Sequence, residues 1–425
     1  MRLTVNPVSK LKGIVKAPPS KSYTIRAVIA ASLASGSSTI RDPLYSDDTR
    51  ACIEACRLIG ATIAEGNALI VRGCGGRIEK PGKTIDTMNS GTSIRLLTAV
   101  AALSSERITL TGDSSIQKRP IGPLLDALKQ MGVKTESKNG FPPATVQGPI
   151  RGGTCRIRGD ISSQFISALL MACPLAEKDT VIELTSPLKS RPYVDLTLDI
   201  LERFNVRVEN EDYRRFIIAG GQEYKETEYT VEGDYSSAAF LLAAAALTES
   251  DVTVNNLFKA SRQADKKIVN VLDEMGADLE VKSESVRVKG NGKLHGITVD
   301  LSDSPDLVPI LAAVGALAEG RTVLKNVEHA RYKECDRIHA MTVELKKMGS
   351  DIEERKDGLV IKGRPLKAPK DALDGWHDHR IVMALAVAGL KAEGETRIGD
   401  AEYVSVTFPN FVELMRKLGA HMSVR

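Results

Sequence analysis

One phrase returns six times along this chain: a run with helical periodicity, a glycine, then two short alternating segments parted by turn residues. The glycine falls at positions 60, 132, 276, 349 and 419, with Asn205 in its place in the third copy, so successive copies lie 70–73 residues apart. Gly or Asn directly after a helix adopts the left-handed backbone that ends it. Alternating segments after it carry the two-residue period of half-buried strands. Spacing this regular marks a repeat architecture, each copy being one supersecondary unit.

The first half of each copy recurs as well. A polar cluster precedes a strongly apolar helical run: "PSKSYTIRAVIAASLA", "NSGTSIRLLTAVAAL", "GDISSQFISALLMAC", "GDYSSAAFLLAAAAL", "SDSPDLVPILAAVGAL" and "HDHRIVMALAVAGL". Helices apolar nearly all round belong inside a domain. Strand-like stretches such as "RITLTG" and "TVIELT" follow them. Each copy is therefore expected to run helix, strand, helix, strand, strand. With 425 residues the chain exceeds what one core usually supports, so two domains of three repeats are expected. The fold class is mixed α and β, with buried helices and outer sheets, an inside-out α/β barrel in each domain. The expected boundaries are 15–227 for repeats one to three, and 1–14 plus 228–425 for repeats four to six. The second domain is discontinuous because the strand "RLTVNPV" precedes the first repeat.

Composition narrows the function. Lys plus Arg is 58 and Asp plus Glu is 54, a net charge of +4, with few aromatics and no long basic run, which argues against nucleic acid. Met1 to Ser20 lacks the apolar core of a signal peptide, and runs such as 381–390 are too short to span a bilayer, so a cytoplasmic chain with no membrane partner is expected. The six cysteines (Cys52, Cys56, Cys74, Cys155, Cys173, Cys335) form no CxxC pair and have no His at ligand spacing. Free thiols, no metal and no cofactor are expected. "GCGGR" at 73–77 lacks the Lys-Ser/Thr ending of a phosphate loop and reads as a turn.

The polar clusters sit where buried helices begin. Helix starts leave N–H groups unpaired and carry partial positive charge, and each cluster taken alone reads as an ordinary N-cap. Several hold residues that capping does not need: Lys21 and Arg26; Ser162, Ser163 and Gln164; His377, Asp378, His379 and Arg380. "QKRPIG" adds Lys118 and Arg119, "KSRPYVD" adds Lys189, Ser190, Arg191 and Tyr193, and "RYKECDR" adds Arg331, Lys333, Glu334, Asp336 and Arg337. The last of these also reads as a solvated helix start with ion pairs. In a repeat fold the starts lie at one end of each domain, and two such ends facing each other would make a cleft for phosphates and carboxylates. Taken together, the residues suggest a site for small, multiply anionic substrates, with Asp306 and Glu334 available for proton transfer.

At these residues the chain resembles the 5-enolpyruvylshikimate-3-phosphate synthases, or 3-phosphoshikimate 1-carboxyvinyltransferases. Ten ordered segments carry the resemblance over the full length: "PPSKSYTIRA", "NSGTSIR", "QKRPIGPLLDAL", "GDISSQFISALL", "SRPYVDLTL", "EGDYSSAAF", "DSPDL", "YKECDRI", "HDHRIVMAL" and "VTFPNF". The resemblance implies a two-domain fold of six repeats, a monomer, and a place in aromatic amino acid biosynthesis. It implies that Lys21, Ser22, Arg26, Ser162, Ser163, Gln164, Ser190, Tyr193, Asp306 and Lys333 hold shikimate 3-phosphate. Phosphoenolpyruvate falls to Lys21, Gly91, Arg119, Gln164, Arg337 and Arg380, and Gly91 is where the inhibitor glyphosate fits. Two positions depart from the family pattern: His329 stands where Asn is frequent, and Val406 stands where some members have Lys.

The implied reaction breaks the C–O bond of phosphoenolpyruvate. The 5-hydroxyl adds to C2 while C3 is protonated, and the tetrahedral adduct then loses phosphate and a C3 proton. Glu334 is assigned to C3, Asp306 to the hydroxyl proton and Lys21 to the bridging oxygen, with domain closure on substrate. The related transfer to UDP-N-acetylglucosamine uses a mobile loop with a nucleophilic Cys, which "SSIQKRPIG" lacks. A non-catalytic phosphate binder on the same scaffold could dispense with Asp306 and Glu334, and both are present.

Overall fold

The computed structural model describes all 425 residues. They form two compact units, Pro19–Val231 and Met1–Pro18 with Glu232–Arg425, called here the first and second unit. Strands β1 (Leu3–Asn6) and β2 (Lys10–Lys16) begin the second unit. The first unit follows. Its first copy is α1 (Lys21–Leu33), β3 (Ser37–Arg41), α2 (Asp47–Leu58), β4 (Thr62–Ala64) and β5 (Ala68–Arg72). Its second is β6 (Ile85–Asp86), α3 (Gly91–Ala101), β7 (Ile108–Thr111), α4 (Gly122–Gln130), β8 (Lys134–Lys138) and β9 (Phe141–Gln147). Its third is β10 (Gly153–Ile157), α5 (Ser163–Ala172), β11 (Thr180–Leu184), α6 (Arg191–Arg203), β12 (Glu209–Glu211) and β13 (Arg215–Ile218), after which comes β14 (Glu228–Thr230).

The second unit resumes with α7 (Tyr235–Leu247), β15 (Glu249–Asn255), α8 (Lys267–Glu274), β16 (Asp278–Val281) and β17 (Ser285–Asn291). The fifth copy is β18 (Thr298–Asp300), α9 (Val308–Leu317), β19 (Arg321–Lys325), α10 (Arg337–Lys347), β20 (Asp351–Arg355) and β21 (Gly358–Lys362). The sixth is α11 (His379–Gly389), β22 (Thr396–Ile398), α12 (Phe411–Lys417) and β23 (His421–Val424).

The repeat is thus one strand longer than the sequence suggests. A strand before each of five buried helices runs parallel to the strand after that kind of helix, as β6 does with β7, β10 with β11 and β18 with β19. Two of these strands are exchanged along the chain. β2 precedes α1 yet pairs with β15 of the second unit, and β14 precedes α7 yet pairs with β3 of the first. The ladder with β3 and the ladder with β15 carry the unit boundaries to 18/19 and 231/232, four residues beyond the positions expected at 14/15 and 227/228. In the sixth sheet β1 lies between β22 and β23, antiparallel to both.

Composition explains the layering. Every residue of α7 except Ser236 is buried, and α9 and α11 are buried almost throughout. The second helix of each copy buries only one face, as α6 does with Val194, Leu196, Thr197, Ile200 and Leu201. Each second helix then ends on left-handed backbone at the expected residue: Gly60 (φ 112°), Gly132 (88°), Asn205 (62°), Gly276 (96°), Gly349 (88°) and Gly419 (104°). All six cysteines are free, and no helix is long and apolar enough to cross a membrane.

Candidate active site

In the second unit, charged residues from three helix starts converge. Arg337 opens α10 behind its cap Asp336 and is only 1% exposed. Its guanidinium donates through Nε to Asp378 Oδ2 at 2.7 Å, through Nη1 to Asp306 Oδ1 at 2.7 Å and through Nη2 to Glu334 Oε2 at 2.6 Å. Arg380, in the first turn of α11, donates to the other Asp306 oxygen at 3.1 Å, and Lys333 lies 3.5 Å from Asp306 Oδ1. Asp306 sits in a single 3-10 turn, Pro305–Leu307, directly ahead of α9. Asp378 caps α11 by accepting the Arg380 N–H at 2.8 Å, so one carboxylate both starts that helix and fixes Arg337.

The electrostatics follow from burial and pairing. Burial opposes the Arg337 charge, but Asp378, Glu334 and Asp306 outweigh it and hold the group well above its ordinary pKa. Loss of solvent pushes Lys333 below the usual lysine value, with Asp306 offsetting part of that. The sequence-predicted residues Asp306, Lys333, Glu334, Arg337 and Arg380 are therefore brought together by direct ion pairs. His329 lies in the 3-10 turn Glu328–Tyr332, and Val406 is buried at the end of another, Ala401–Val406.

The first unit assembles a second cluster, again at helix starts. Ser20 caps α1, whose first residue Lys21 pairs with Asp48 Oδ2 at 2.9 Å. Arg26, 1% exposed, donates to Thr197 Oγ1 at 2.8 Å, Ser22 O at 3.0 Å and Tyr193 O at 3.2 Å. Burial lowers its pKa to about 10, against smaller contributions from Tyr193 and Tyr23. Tyr193 follows Ser190, which takes left-handed backbone (φ 54°) where α6 begins. Ser162 caps α5 by accepting the Gln164 N–H at 3.3 Å, and Ser163 is the first residue of that helix.

Gln164 ties this region to α3. It accepts from Arg95 Nη1 at 2.5 Å and donates to Thr92 Oγ1 at 3.0 Å. Arg119, just past the 3-10 turn Ile116–Lys118, donates to Ser115 Oγ at 2.9 Å. Gly91 opens α3, and a Cβ added there would lie 2.7 Å from Arg119 Nη1 and 3.2 Å from Arg95 Nη1. Only a residue without a side chain lets both guanidinium groups stand over that helix start. Lys21, Ser22, Gly91, Ser162, Ser163, Gln164, Ser190 and Tyr193 lie at helix starts of the first unit, Arg26 lies one turn further into α1, and Arg119 lies just ahead of α4.

Sequence reasoning missed the residues that hold these groups. Asp48, Thr197 and Arg95 lie outside the residues that the sequence points to, and Asp378 stands among them only beside its basic neighbours. Asp48 is the second residue of α2, in an acidic first turn where carboxylates are ordinary, and Thr197 is an uncharged residue inside an amphipathic helix. Arg95 stood within "NSGTSIR" as a visible charge, and a buried arginine one turn from a helix start was the available signal.

Buried cations at the starts of buried helices, with two carboxylates held among them, define an enzyme built for small, multiply charged anions. The comparisons make that class specific. The chain belongs to the EPSP synthase (3-phosphoshikimate 1-carboxyvinyltransferase) family, whose model matches residues 5–415. It is 51% identical over 431 residues to the 3-phosphoshikimate 1-carboxyvinyltransferase of Methanocaldococcus jannaschii, a match covering 100% of this chain and 99% of that one. The Methanococcoides burtonii protein of the same name is 50% identical over 426 residues, covering 99% and 98%. The solved structure of EPSP synthase from Acinetobacter baumannii is 29% identical and superposes with a TM-score of 0.84 over the whole of both chains.

Proposed function

We propose that the two clusters carry out the family's reaction by addition and elimination through a tetrahedral intermediate. The chain transfers the enolpyruvyl group of phosphoenolpyruvate to shikimate 3-phosphate, a step of the shikimate pathway. The 5-hydroxyl adds to C2 of phosphoenolpyruvate while a proton adds to C3. The adduct then loses its phosphate and one C3 proton, leaving the enol ether and free phosphate.

Shikimate 3-phosphate is held by Lys21, Ser22, Arg26, Ser162, Ser163, Gln164, Ser190, Tyr193, Asp306 and Lys333. Phosphoenolpyruvate is held by Lys21, Gly91, Arg119, Gln164, Arg337 and Arg380. Asp306 takes the hydroxyl proton, Glu334 delivers and later removes the C3 proton, and Lys21 assists at the bridging oxygen. The observation that carries this reading is that one guanidinium, Arg337, holds Asp306 at 2.7 Å and Glu334 at 2.6 Å. An arriving phosphoenolpyruvate offers Arg337 and Arg380 new anionic partners. Carboxylates thereby released from their cations regain proton affinity when the reaction needs it.

Two variants test the assignment. Glu334→Gln is expected to suppress solvent deuterium entry at C3 of phosphoenolpyruvate, with turnover down about 10²–10⁴-fold, the usual worth of a positioned proton-transfer group. Asp306→Asn is expected to lower kcat in the same range while both substrates still bind. Undiminished deuterium entry in the first, or wild-type kcat in the second, removes that residue from the mechanism.

A further inference from the structure

Behind Asp306 lies a carboxyl group that the mechanism does not use. Asp265 occupies the 3-10 turn Ala264–Lys266 and is 1% exposed. Ser236 Oγ, on the first turn of α7, donates to its Oδ2 at 2.5 Å. Its Oδ1 is sealed from solvent and has no hydrogen-bond partner. The turn is tied to the one that carries Asp306, because Ser304 Oγ donates to Ala264 O at 3.0 Å.

The charges around Asp265 can be counted from each neighbouring element. Asp234 caps α7, Asp306 lies in its 3-10 turn, and Arg380 comes from α11. The lysines of its own segment turn elsewhere: Lys266 Nζ donates to Lys259 O and Ser261 O, and Lys267 Nζ to Asp300 O. Glu232 is occupied by Ser261 and Gln263, and Arg262 is exposed. Arg380 and the Ser236 hydroxyl favour a charge on Asp265, while burial, Asp306 and Asp234 oppose it. A buried carboxylate with so little support keeps its proton. Burial first, then Asp306 and Asp234, push the group up to about 7.

We propose that Asp265 is a positioning residue that tunes Asp306 as a proton acceptor. Neutral Asp265 adds no charge beside Asp306 and makes no demand on Arg380. Ionised Asp265 draws on the same arginine, adds a second negative charge beside Asp306, and strengthens its hold on the incoming hydroxyl proton. The inference rests on the reading of Asp306 as that acceptor. Asp265 itself touches neither substrate.

The test is the pH profile of kcat between pH 5.5 and 9, measured on the full chain with both substrates saturating. Wild type is expected to gain about three- to tenfold in kcat through a limb near neutrality, the response of a base strengthened by a nearby ionisation. Asp265→Asn is expected to lose that limb and stay at the acid-side kcat, with both KM values within about threefold of wild type. Ser236→Ala removes a hydrogen bond that favours the charged form, so it is expected to move the limb to higher pH while leaving its height. A limb that persists unshifted in both variants overturns the proposal. So does a uniform loss of kcat at every pH in Asp265→Asn with the limb intact, which is the signature of a merely structural role. Wild-type kcat in Asp306→Asn would instead bring down the reading beneath it, and the inference with it.

Discussion

Arg26 offers the cleanest quantitative test of how the first unit holds its cations. Thr197 is fully buried, accepts from Arg26 Nε at 2.8 Å, and lies within hydrogen-bond reach of Ser167 Oγ (2.8 Å) and Tyr193 O (3.1 Å). Thr197→Val replaces the hydroxyl with a methyl of nearly the same size, so packing on α6 is kept. Arg26 keeps its bonds to Ser22 O and Tyr193 O but loses the acceptor at Nε, in a place with no solvent to replace it. Leaving a buried donor unpaired costs about 1–3 kcal/mol. Burial already lowers the Arg26 pKa to about 10, so the site has little solvation in reserve. A loss of about 2 kcal/mol corresponds to about 4–8 °C in the melting of a unit this size. Calorimetry of wild type, Thr197→Val and Thr197→Ser measures it, with the serine variant expected to recover most of the loss. Kinetics on the same three proteins are expected to show KM for shikimate 3-phosphate raised about tenfold in the valine variant, about 1.4 kcal/mol of positioning. A valine variant within about 0.5 kcal/mol of wild type, with unchanged KM, would refute the claim that Thr197 holds Arg26 in place.

Gly91→Ala is expected to fold normally, since Gly91 does not need left-handed backbone and its Cβ would meet the movable ends of Arg119 and Arg95. Displacing Arg119 by about an ångström is expected to raise KM for phosphoenolpyruvate tenfold or more while leaving that for shikimate 3-phosphate within about threefold, as steady-state kinetics would record. Asp265 keeps in the folded chain a proton that the unfolded chain releases, so stability falls as pH rises from about 4 to about 7. Denaturant titrations across that window are expected to show a shallower decline for Asp265→Asn than for wild type. Burial raises Cys155 to about 12 and pushes Cys173 and Cys335 up as well, while Cys52 is pushed up first by its hydrogen bond with Cys56 and then by burial. Iodoacetamide at pH 8 is expected to label these four thiols in denaturant far faster than in the native chain, as mass spectrometry can follow.

The repeat was legible because it is written in strong symbols. A helix-ending Gly or Asn every 70–73 residues and six runs of apolar residues survive without any knowledge of partners. The extra strands β6, β14 and β18 were not, being two or three residues long and too short to show a period. The exchange of β2 and β14 was illegible for another reason: strand pairing is decided by backbone hydrogen bonds, which leave no mark on side-chain identity. Site residues followed the same division. Arg337, Arg380 and Lys333 stood out as charges at helix starts, where they oppose the dipole and need a reason. Thr197 is uncharged and lies 171 residues from Arg26, so nothing local announces the bond. Asp378 does two jobs, and its capping role alone would explain its presence.

The antiparallel place of β1 between β22 and β23 sets an order of events during synthesis. Residues 3–6 are made early, but their ladder partners are residues 396–398 and 421–424. At ribosomal speeds of about 5–20 residues per second, that strand waits roughly 20–80 s for the neighbours that cover it. The segment 19–231 has all its own partners long before then and can fold while the opening strands hang free. Until then the side chains of Leu3 and Val5, fully buried in the folded chain, have no sheet to cover them.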